Sequence, residues 1–209
     1  MIRYVVLLAL VAAVRAADPA LVQIALKTAK GEPVADAVVS LLPAAGAVPP
    51  PAVEAEVMQK DEQFSPYVTA VQAGGRVVFP NRDTVQHHVY SLSKAKKFEL
   101  PLYAPGSSEV ITFDQPGLVT LGCNIHDWMI AYIVVVPTPW FAKTGPDGRA
   151  ELRAPAGAYR LEVWHPRLTA PLALNVVLAE DKPLSLEQTL TLKPDRRARR
   201  APDPRGPGY

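Results

Sequence analysis

The stretch GLVTLGCNIHDWMIAYIVVV, residues 117–136, decides the fold of this chain. Both of its ends are apolar and β-branched, which predicts one strand over Gly117–Cys123 and a second over Ile130–Val136. The run from Cys123 to Met129 carries a thiol, an imidazole and a thioether, each three residues after the last. Three such donors on one short loop can face a single metal ion, so this loop is a candidate metal site.

The donor types favour copper. Soft thiolate and thioether ligands together with imidazole suit this metal, and two His with one Cys and a weak axial Met form an electron-transfer copper site. The loop offers His126 but lacks the second His that such a set requires.

The upstream stretch VVFPNRDTVQHHVYSLS, residues 77–93, supplies further His residues. A strand is predicted to run into a loop at Asn81–Gln86, and the next strand begins with His87 and His88. Successive side chains of a strand point to opposite faces, so only one of these two can enter the site. The alternation alone does not decide which.

At this point the chain resembles the cupredoxins, and among them the group of amicyanin, pseudoazurin and plastocyanin. The resemblance is carried by NRDTVQHHV (81–89), by CNIHDWM (123–129) and by FSPYVTAVQAGGRVVFPNRD (64–83). The spacing C-x2-H-x2-M is similar to the ligand loop of amicyanin.

The resemblance implies a Greek-key β-sandwich that binds one type 1 copper ion as its cofactor. It implies that the ligands are His87, Cys123, His126 and Met129. The alternatives are an inert buried thiol for Cys123, a structural His126 and plain core packing of Met129.

Two positions depart from the family pattern. His88 stands where an Asn often ties the two ligand loops together, and we expect it to supply a supporting hydrogen bond. Ile125 stands where Pro is frequent and keeps a backbone N–H. If this N–H points at the Cys123 sulfur it favours Cu(I), so Ile125→Pro would lower the reduction potential.

Three other features near these motifs have two interpretations each. Trp128 either packs over the site or extends an apolar rim around His126. A basic cluster (Lys94, Lys96 and Lys97) is either a solvated loop or a surface that steers an acidic partner. His165 is interpreted as structural, with approach to the copper as the alternative.

The N-terminus predicts a signal peptide. Arg3 precedes an apolar stretch from Tyr4 to Val14, and small residues precede a cleavage site after Ala16. An uncleaved anchor is the alternative. We therefore expect a periplasmic protein without a stable membrane span after cleavage. The single Cys fits this compartment only if something occupies the thiol, because exported proteins normally pair their Cys in disulfides.

The charge of the chain is uneven. From Lys193 onward the tail holds six Lys/Arg against two Asp, whereas residues 17–192 hold 14 Lys/Arg against 18 Asp/Glu, a net charge of −4. We predict a disordered basic tail, with docking to an acidic partner or an anionic membrane surface as the alternative. Nucleic acid is not an expected partner because the folded part is acidic.

Short strand patterns separated by the 22 prolines and by glycines predict an all-β chain. The segments KGEPVADAVVSLLP (30–43) and TGPDGRAELRAPAGAYRLEVWHP (144–166) resemble the prealbumin-like sandwich known as the carboxypeptidase regulatory-like domain. Neither flank has enough strands alone, so we expect them to pair around an inserted cupredoxin domain. The predicted division is a signal peptide (1–16), a first accessory part (17–49), the cupredoxin domain (50–137), a second accessory part (138–193) and the tail (194–209).

These features favour a protein that carries single electrons by Cu(II)/Cu(I) cycling and docks an unidentified redox partner near His126. Because Asp83, Asp114 and Asp127 are scattered and no second metal cluster is visible, we expect no enzymatic activity. A periplasmic copper carrier or scavenger is the alternative function, although it would usually need Met/His-rich runs. A structural β-module that binds no copper is a further alternative.

Overall fold

The computed structural model describes residues 18–50 and 54–195. In these residues every helix or strand assigned is a β-strand, which confirms the all-β prediction. None of the described residues form a helix with the length and apolar character needed to cross a membrane. The predicted signal peptide and nearly all of the predicted tail lie outside the described residues.

The strands are β1 (Ala20–Thr28), β2 (Val38–Pro43), β3 (Ala55–Glu56), β4 (Met58–Lys60), β5 (Gln63–Ser65), β6 (Val68–Gln72), β7 (Gly75–Pro80), β8 (His87–Ser93), β9 (Lys96–Tyr103), β10 (Ser108–Phe113), β11 (Gly117–Gly122), β12 (Ile130–Val136), β13 (Phe141–Lys143), β14 (Arg149–Ala154), β15 (Gly157–Trp164), β16 (Leu172–Leu178) and β17 (Leu184–Leu190).

One pair of sheets combines strands from the two flanks of the chain. Their orders are β14-β1-β17 and β13-β2-β15-β16. Alternate residues of β1 are buried, and Val22, Ile24 and Leu26 enter a shared core with Leu41 of β2 and Leu161 of β15. The period of two places these side chains on one face of the sheet, and the hydrophobic contact across the two sheets stabilises both flanks together.

The central segment builds a second pair of sheets, with orders β10-β7-β3 and β6-β12-β11-β8-β9, and a separate β4-β5 hairpin. Its core contains Phe79, Phe113, Leu121 and Ile133, all essentially inaccessible to solvent, and Cys123 belongs to the same cluster. The sulfur at the end of β11 is therefore placed at the edge of a packed core.

Strand β12 is apolar along its whole length, and both of its faces are buried from Ile133 to Val136. Ile133 and Val135 pack into the central core, whereas Val134 and Val136 join Val38 of β2 in a third apolar cluster. A strand that is buried on two faces has no polar alternation, which accounts for the continuous run IAYIVVV.

The residue pattern predicts no strand for β9 or β13, and it predicts two strands, Ala52–Gln59 and Ser65–Val71, where the structure has the four strands β3 to β6. The alternation of residues 52–59 predicts one strand, Ala52–Gln59, but in the part of this range that the structure describes β3 pairs with β7 and β4 turns back onto β5. Strand β9 contains Pro101 and lies at the edge of its sheet. Edge strands tolerate the lost N–H of proline, whereas the sequence pattern alone assigned this segment to a loop.

Candidate metal centre

The loop that carries Cys123 is set by the pairing of its two strands. β11 and β12 are antiparallel, and Gly122 lies opposite Ile130, so residues 123–129 form the connection. Within it the Met129 N–H donates to the His126 carbonyl at 3.0 Å. The Cys123 side chain is buried, and the loop therefore holds its sulfur toward the protein interior.

Gly122 is required by a close approach. A Cβ atom at this position would lie 2.8–2.9 Å from two ring carbons and the hydroxyl oxygen of Tyr90. Gly122 and Tyr90 are also partners in the pairing of β11 with β8. The Tyr90 side chain therefore lies over Gly122, and the pairing of the two strands places Cys123 beside the first half of β8.

The first residue of β8 is His87, and its ring faces the sulfur. The Nδ1 atom of His87 lies 4.0 Å from Cys123 Sγ, and Nδ1 of His126 lies 3.8 Å from the same sulfur. The two imidazole centroids are 5.0 Å apart. His87 is completely buried, whereas His126 is partly accessible.

These three residues form the candidate metal centre. Their donor atoms all lie within 4.8 Å of one another, the one such His/Cys/Asp/Glu group in the described part of the chain. Metal bonds of roughly 2.0–2.3 Å, as zinc makes to imidazole and thiolate, would put trigonal donors about 3.5–3.8 Å apart. The two sulfur–nitrogen distances approach this spacing, and two imidazoles with a thiolate suit copper. The donor set therefore fits the ion that the sequence predicts.

The ligand role of Met129 stays a prediction. Its side chain is buried and belongs to the core cluster that contains Cys123. A hydrogen bond from the Ile125 N–H to Cys123 Sγ also stays a prediction, because the polar groups that contact this sulfur among the described residues are the two imidazoles. The Ile125 side chain itself is about half exposed, at 48%.

A carboxylate contacts the far side of the His87 ring. His87 Nε2 lies 3.0 Å from Oδ2 of Asp83, whose side chain is only 10% exposed. Burial acts to raise the pKa of Asp83, but hydrogen bonds from the Glu62 and Thr84 amides, and then from His87, outweigh it and lower the pKa below its ordinary value. Asp83 is therefore a carboxylate at neutral pH.

The turn of the β4-β5 hairpin touches both ligand loops. The Glu62 N–H donates to Asp83 Oδ2 at 2.7 Å, and its carbonyl accepts from Trp128 Nε1 at 3.2 Å. The Glu62 carboxylate lies 3.8 Å from His126 Nε2. This one residue connects the loop before His87 with the loop that carries His126.

His88 points away from the sulfur and toward different partners. Its Nε2 atom lies 2.8 Å from Glu99 Oε1 and 3.4 Å from Asn124 Nδ2. A carboxylate only accepts hydrogen bonds, so Nε2 donates to Glu99 and has no lone pair for the Asn124 amide N–H. The supporting hydrogen bond expected of His88 between the two ligand loops stays a prediction. The buried Nδ1 of His88 has no hydrogen-bond partner among the described residues.

Buried polar side chains organise the loop before β8. Asn81 donates to the carbonyls of Val85 and Tyr103 and accepts from the Asp83 N–H at 3.0 Å. The carbonyl of Gln59 accepts from the Arg82 N–H at 2.9 Å. These bonds fix the loop conformation that turns Asp83 back onto His87.

The remaining sequence candidates lie in different surroundings. The Trp128 ring packs against His126, with 5.3 Å between the two ring centroids. His165 follows β15 in the other pair of sheets, where it accepts from the Arg167 N–H at 3.2 Å. The basic cluster surrounds the β8-β9 turn, where Ser93 pairs with Lys96. That turn is at the opposite end of β8 from His87, about 20 Å away at the usual rise of a strand.

Sequence reasoning missed Asp83 and Glu62. It treated Asp83, like Asp114 and Asp127, as one of several scattered acids. It assigned no role to the position of Asp83 four residues before His87. Asp127, by contrast, is exposed, and Asp114 lies 3.5 Å from Lys96, far along the sheet. No motif signals Glu62, because its contacts arise from the folding of a separate hairpin.

No protein-family model matches the chain, and no curated protein is significantly similar to it. Solved structures that are similar to part of this chain include a purple cupredoxin and several amicyanin variants. A purple cupredoxin from Nitrosopumilus maritimus is 22% identical, with a TM-score of 0.36 over 39% of this chain and 98% of that chain. A reduced amicyanin variant is 22% identical, with a TM-score of 0.37 over 48% of this chain and 98% of that chain.

A copper-containing nitrite reductase from Thermus scotoductus is also similar to part of this chain. It is 25% identical, with a TM-score of 0.38 over 46% of this chain. The match spans 25% of the nitrite reductase itself.

Proposed function

We propose that this chain is an exported type 1 copper protein that transfers single electrons between redox partners. His87, Cys123, His126 and Met129 would hold the ion, which when bound supplies one-electron Cu(II)/Cu(I) chemistry. The observation that carries this proposal is the convergence of a buried thiol and two imidazoles from separate loops within 4.8 Å.

The protein holds these donors in a prearranged position. Cys123 lies in the central core, and His87 begins the strand that pairs with β11 at Gly122. Cores are packed to near crystal density, so such donors shift little. A rigid set of mixed soft and borderline donors supports electron transfer, which requires little movement of the ligands.

His126 offers the route to a partner protein. It is the more accessible imidazole of the two, and its Nε2 edge is directed away from the sulfur. Ile125 beside it is half exposed and supplies apolar surface for docking. We propose that the redox partner docks here rather than at the distant basic cluster.

The further parts of the proposal concern location and architecture. Residues 1–16 would direct export to the periplasm and be cleaved. Residues 17–49 and 138–193 would form one accessory sandwich around the copper domain (50–137), because β1 and β2 share sheets with the strands that follow residue 140. Mass spectrometry of the periplasmic protein tests the cleavage, and an intact N-terminus would contradict it.

The central test is to load the purified metal-free protein with Cu(II) and record its visible spectrum. We expect an intense thiolate-to-copper band with one copper per chain, which is lost in Cys123→Ala. Met58→Leu is the matched control for Met129→Leu, because Met58 lies on β4 outside the predicted ligand set. We expect Met129→Leu to shift the spectrum and Met58→Leu to leave it unchanged.

Two other outcomes would favour other functions. Tight binding of Cu(I) without a visible Cu(II) band would support a copper carrier. No binding of either ion would leave a structural β-module. Either result refutes electron transfer by this chain.

A further inference from the structure

We propose that Asp83 is a positioning residue that orients His87 and biases the site toward Cu(II), and that the Asp61–Glu62 turn holds Asp83 in place. This inference rests on the copper site proposed above. It deepens that proposal by assigning roles to residues outside the four predicted ligands.

Asp83 determines which nitrogen of His87 is free to bind a metal. A carboxylate only accepts hydrogen bonds, so the contact of 3.0 Å requires that His87 Nε2 carries the hydrogen. The lone pair of the neutral ring is then on Nδ1, which is the nitrogen that faces Cys123 Sγ. Asp83 therefore selects the tautomer that the copper site needs.

The carboxylate itself has little freedom to turn. Oδ2 accepts from the Glu62 N–H at 2.7 Å as well as contacting His87, and Oδ1 accepts from the Thr84 N–H at 2.8 Å. Any rotation of the Asp83 side chain would break at least one of these bonds. The orientation of His87 is thus determined by a fixed group rather than by a mobile surface acid.

The turn that supplies the Glu62 N–H has an unfavourable backbone. Asp61 and Glu62 each have a φ of 52°, in the left-handed region that favours glycine. This conformation is unfavourable for a residue with a side chain, because Cβ approaches the following carbonyl oxygen. Strained residues of this kind persist where the surrounding structure needs them. The two-residue β4-β5 hairpin, in which Lys60 pairs with Gln63, itself requires a positive φ at both central residues. In this turn the Glu62 N–H donates to Asp83 and its carbonyl accepts from Trp128, which joins the two ligand loops.

Asp83 also adds a buried negative charge next to the metal centre. With a metal bound, Cys123 would supply one negative charge as a thiolate, and Asp83 supplies a second one beside the His87 ring. A more negative environment stabilises Cu(II) relative to Cu(I), because the higher charge on the ion interacts more strongly with it. Removal of the Asp83 charge should therefore weaken Cu(II) binding more than Cu(I) binding.

The first test needs neither copper nor a variant. Nitrogen-15 NMR of the metal-free wild-type protein reports the tautomer of each imidazole at a pH where the rings are neutral. We expect the Nε2–H form for His87. The Nδ1–H form would overturn the proposal, because Asp83 could then not be the acceptor that orients the ring.

The second test compares Asp83→Asn with Asp127→Asn. Both changes remove one negative charge from a ligand loop, but Asp127 is exposed and lies outside the described contacts of His87. Loss of a supporting partner of a ligand typically costs about 10- to 100-fold in metal affinity. We expect Asp83→Asn to lower Cu(II) affinity at least about tenfold more than Cu(I) affinity, a rise in reduction potential of about 59 mV.

The control distinguishes orientation from general charge. Asp127→Asn should change the ratio of the two affinities much less, because solvent screens an exposed group. Equal changes in the two variants would refute the special role of Asp83. A wild-type protein that binds no copper refutes the proposed function itself, whereas a blue wild-type protein with an unchanged Asp83→Asn variant refutes only the role of Asp83.

Discussion

The close approach of the Tyr90 ring to Gly122 predicts the direction in which Gly122→Ala changes the free energy of unfolding. A Cβ at Gly122 would lie 2.8 Å from Cζ of the Tyr90 ring. Carbon atoms in favourable contact are about 3.5–4.0 Å apart, so the methyl group and the ring would overlap by at least about 0.7 Å. Tyr90 is half-buried and its ring can swing outward, which limits the cost. We expect Gly122→Ala to lower the free energy of unfolding by about 1–2 kcal/mol.

Without the Tyr90 ring, Gly122→Ala should raise the free energy of unfolding instead of lowering it. The φ of Gly122 lies outside the left-handed region, so alanine is compatible with its backbone. A glycine-to-alanine change at a compatible position stabilises a protein by about 0.4–1 kcal/mol, because the unfolded chain loses freedom. In a Tyr90→Ala background we therefore expect Gly122→Ala to be stabilising.

The assay is equilibrium urea unfolding of the metal-free protein for the four members of this double-mutant cycle. Gly106→Ala is the control, because Gly106 has a φ of 80° and no atom within 4 Å of an added Cβ. Its cost should come from backbone strain and be the same with and without the Tyr90 ring. If Gly122→Ala is equally destabilising in both backgrounds, the close approach is not what requires glycine here.

Three further changes test other parts of the structure by the same unfolding measurement. Tyr103→Phe removes the hydroxyl that donates to the amide oxygen of the completely buried Gln59. The unpaired oxygen should lower the free energy of unfolding by about 1–3 kcal/mol, and an unchanged value would mean that Gln59 finds another donor. Ile133→Ala should cost about 2–5 kcal/mol because its side chain is fully buried, whereas Ile130→Ala on the same strand should cost far less, since Ile130 is 37% exposed. Asp61→Gly should stabilise the protein by about 1 kcal/mol by relieving its positive φ, and a loss of stability would show that the Asp61 side chain has a role of its own.

The part of the metal centre that could be predicted from the sequence is its local part. Cys123, His126 and Met129 lie on one loop, and the spacing between them indicates their chemistry directly. The choice between His87 and His88 needed the family resemblance, because alternation along a strand separates two residues without saying which face is the inner one. In the structure His87 faces the sulfur and His88 faces Glu99.

The contacts of Asp83 and Glu62 could not be predicted in this way. The contact between Asp83 and His87 exists because the buried Asn81 bends the loop, and a pattern of residue types does not encode that bend. Glu62 reaches the ligand loops only because the β4-β5 hairpin forms, in a segment where the sequence predicted longer strands. Similarly, β9 could not be predicted because it contains Pro101. Proline is compatible with a strand only at the edge of a sheet, and the sequence does not show which strands lie at an edge.

The two buried faces of β12 matter for anyone who wishes to prepare the copper domain alone. A truncated chain without the flanking strands would leave Val134 and Val136 facing water, together with Val68 of β6. Adjacent exposed valines on two paired strands form an apolar surface patch that promotes aggregation. Polar replacements at these three positions should yield a domain that is easier to keep in solution than the plain excised fragment.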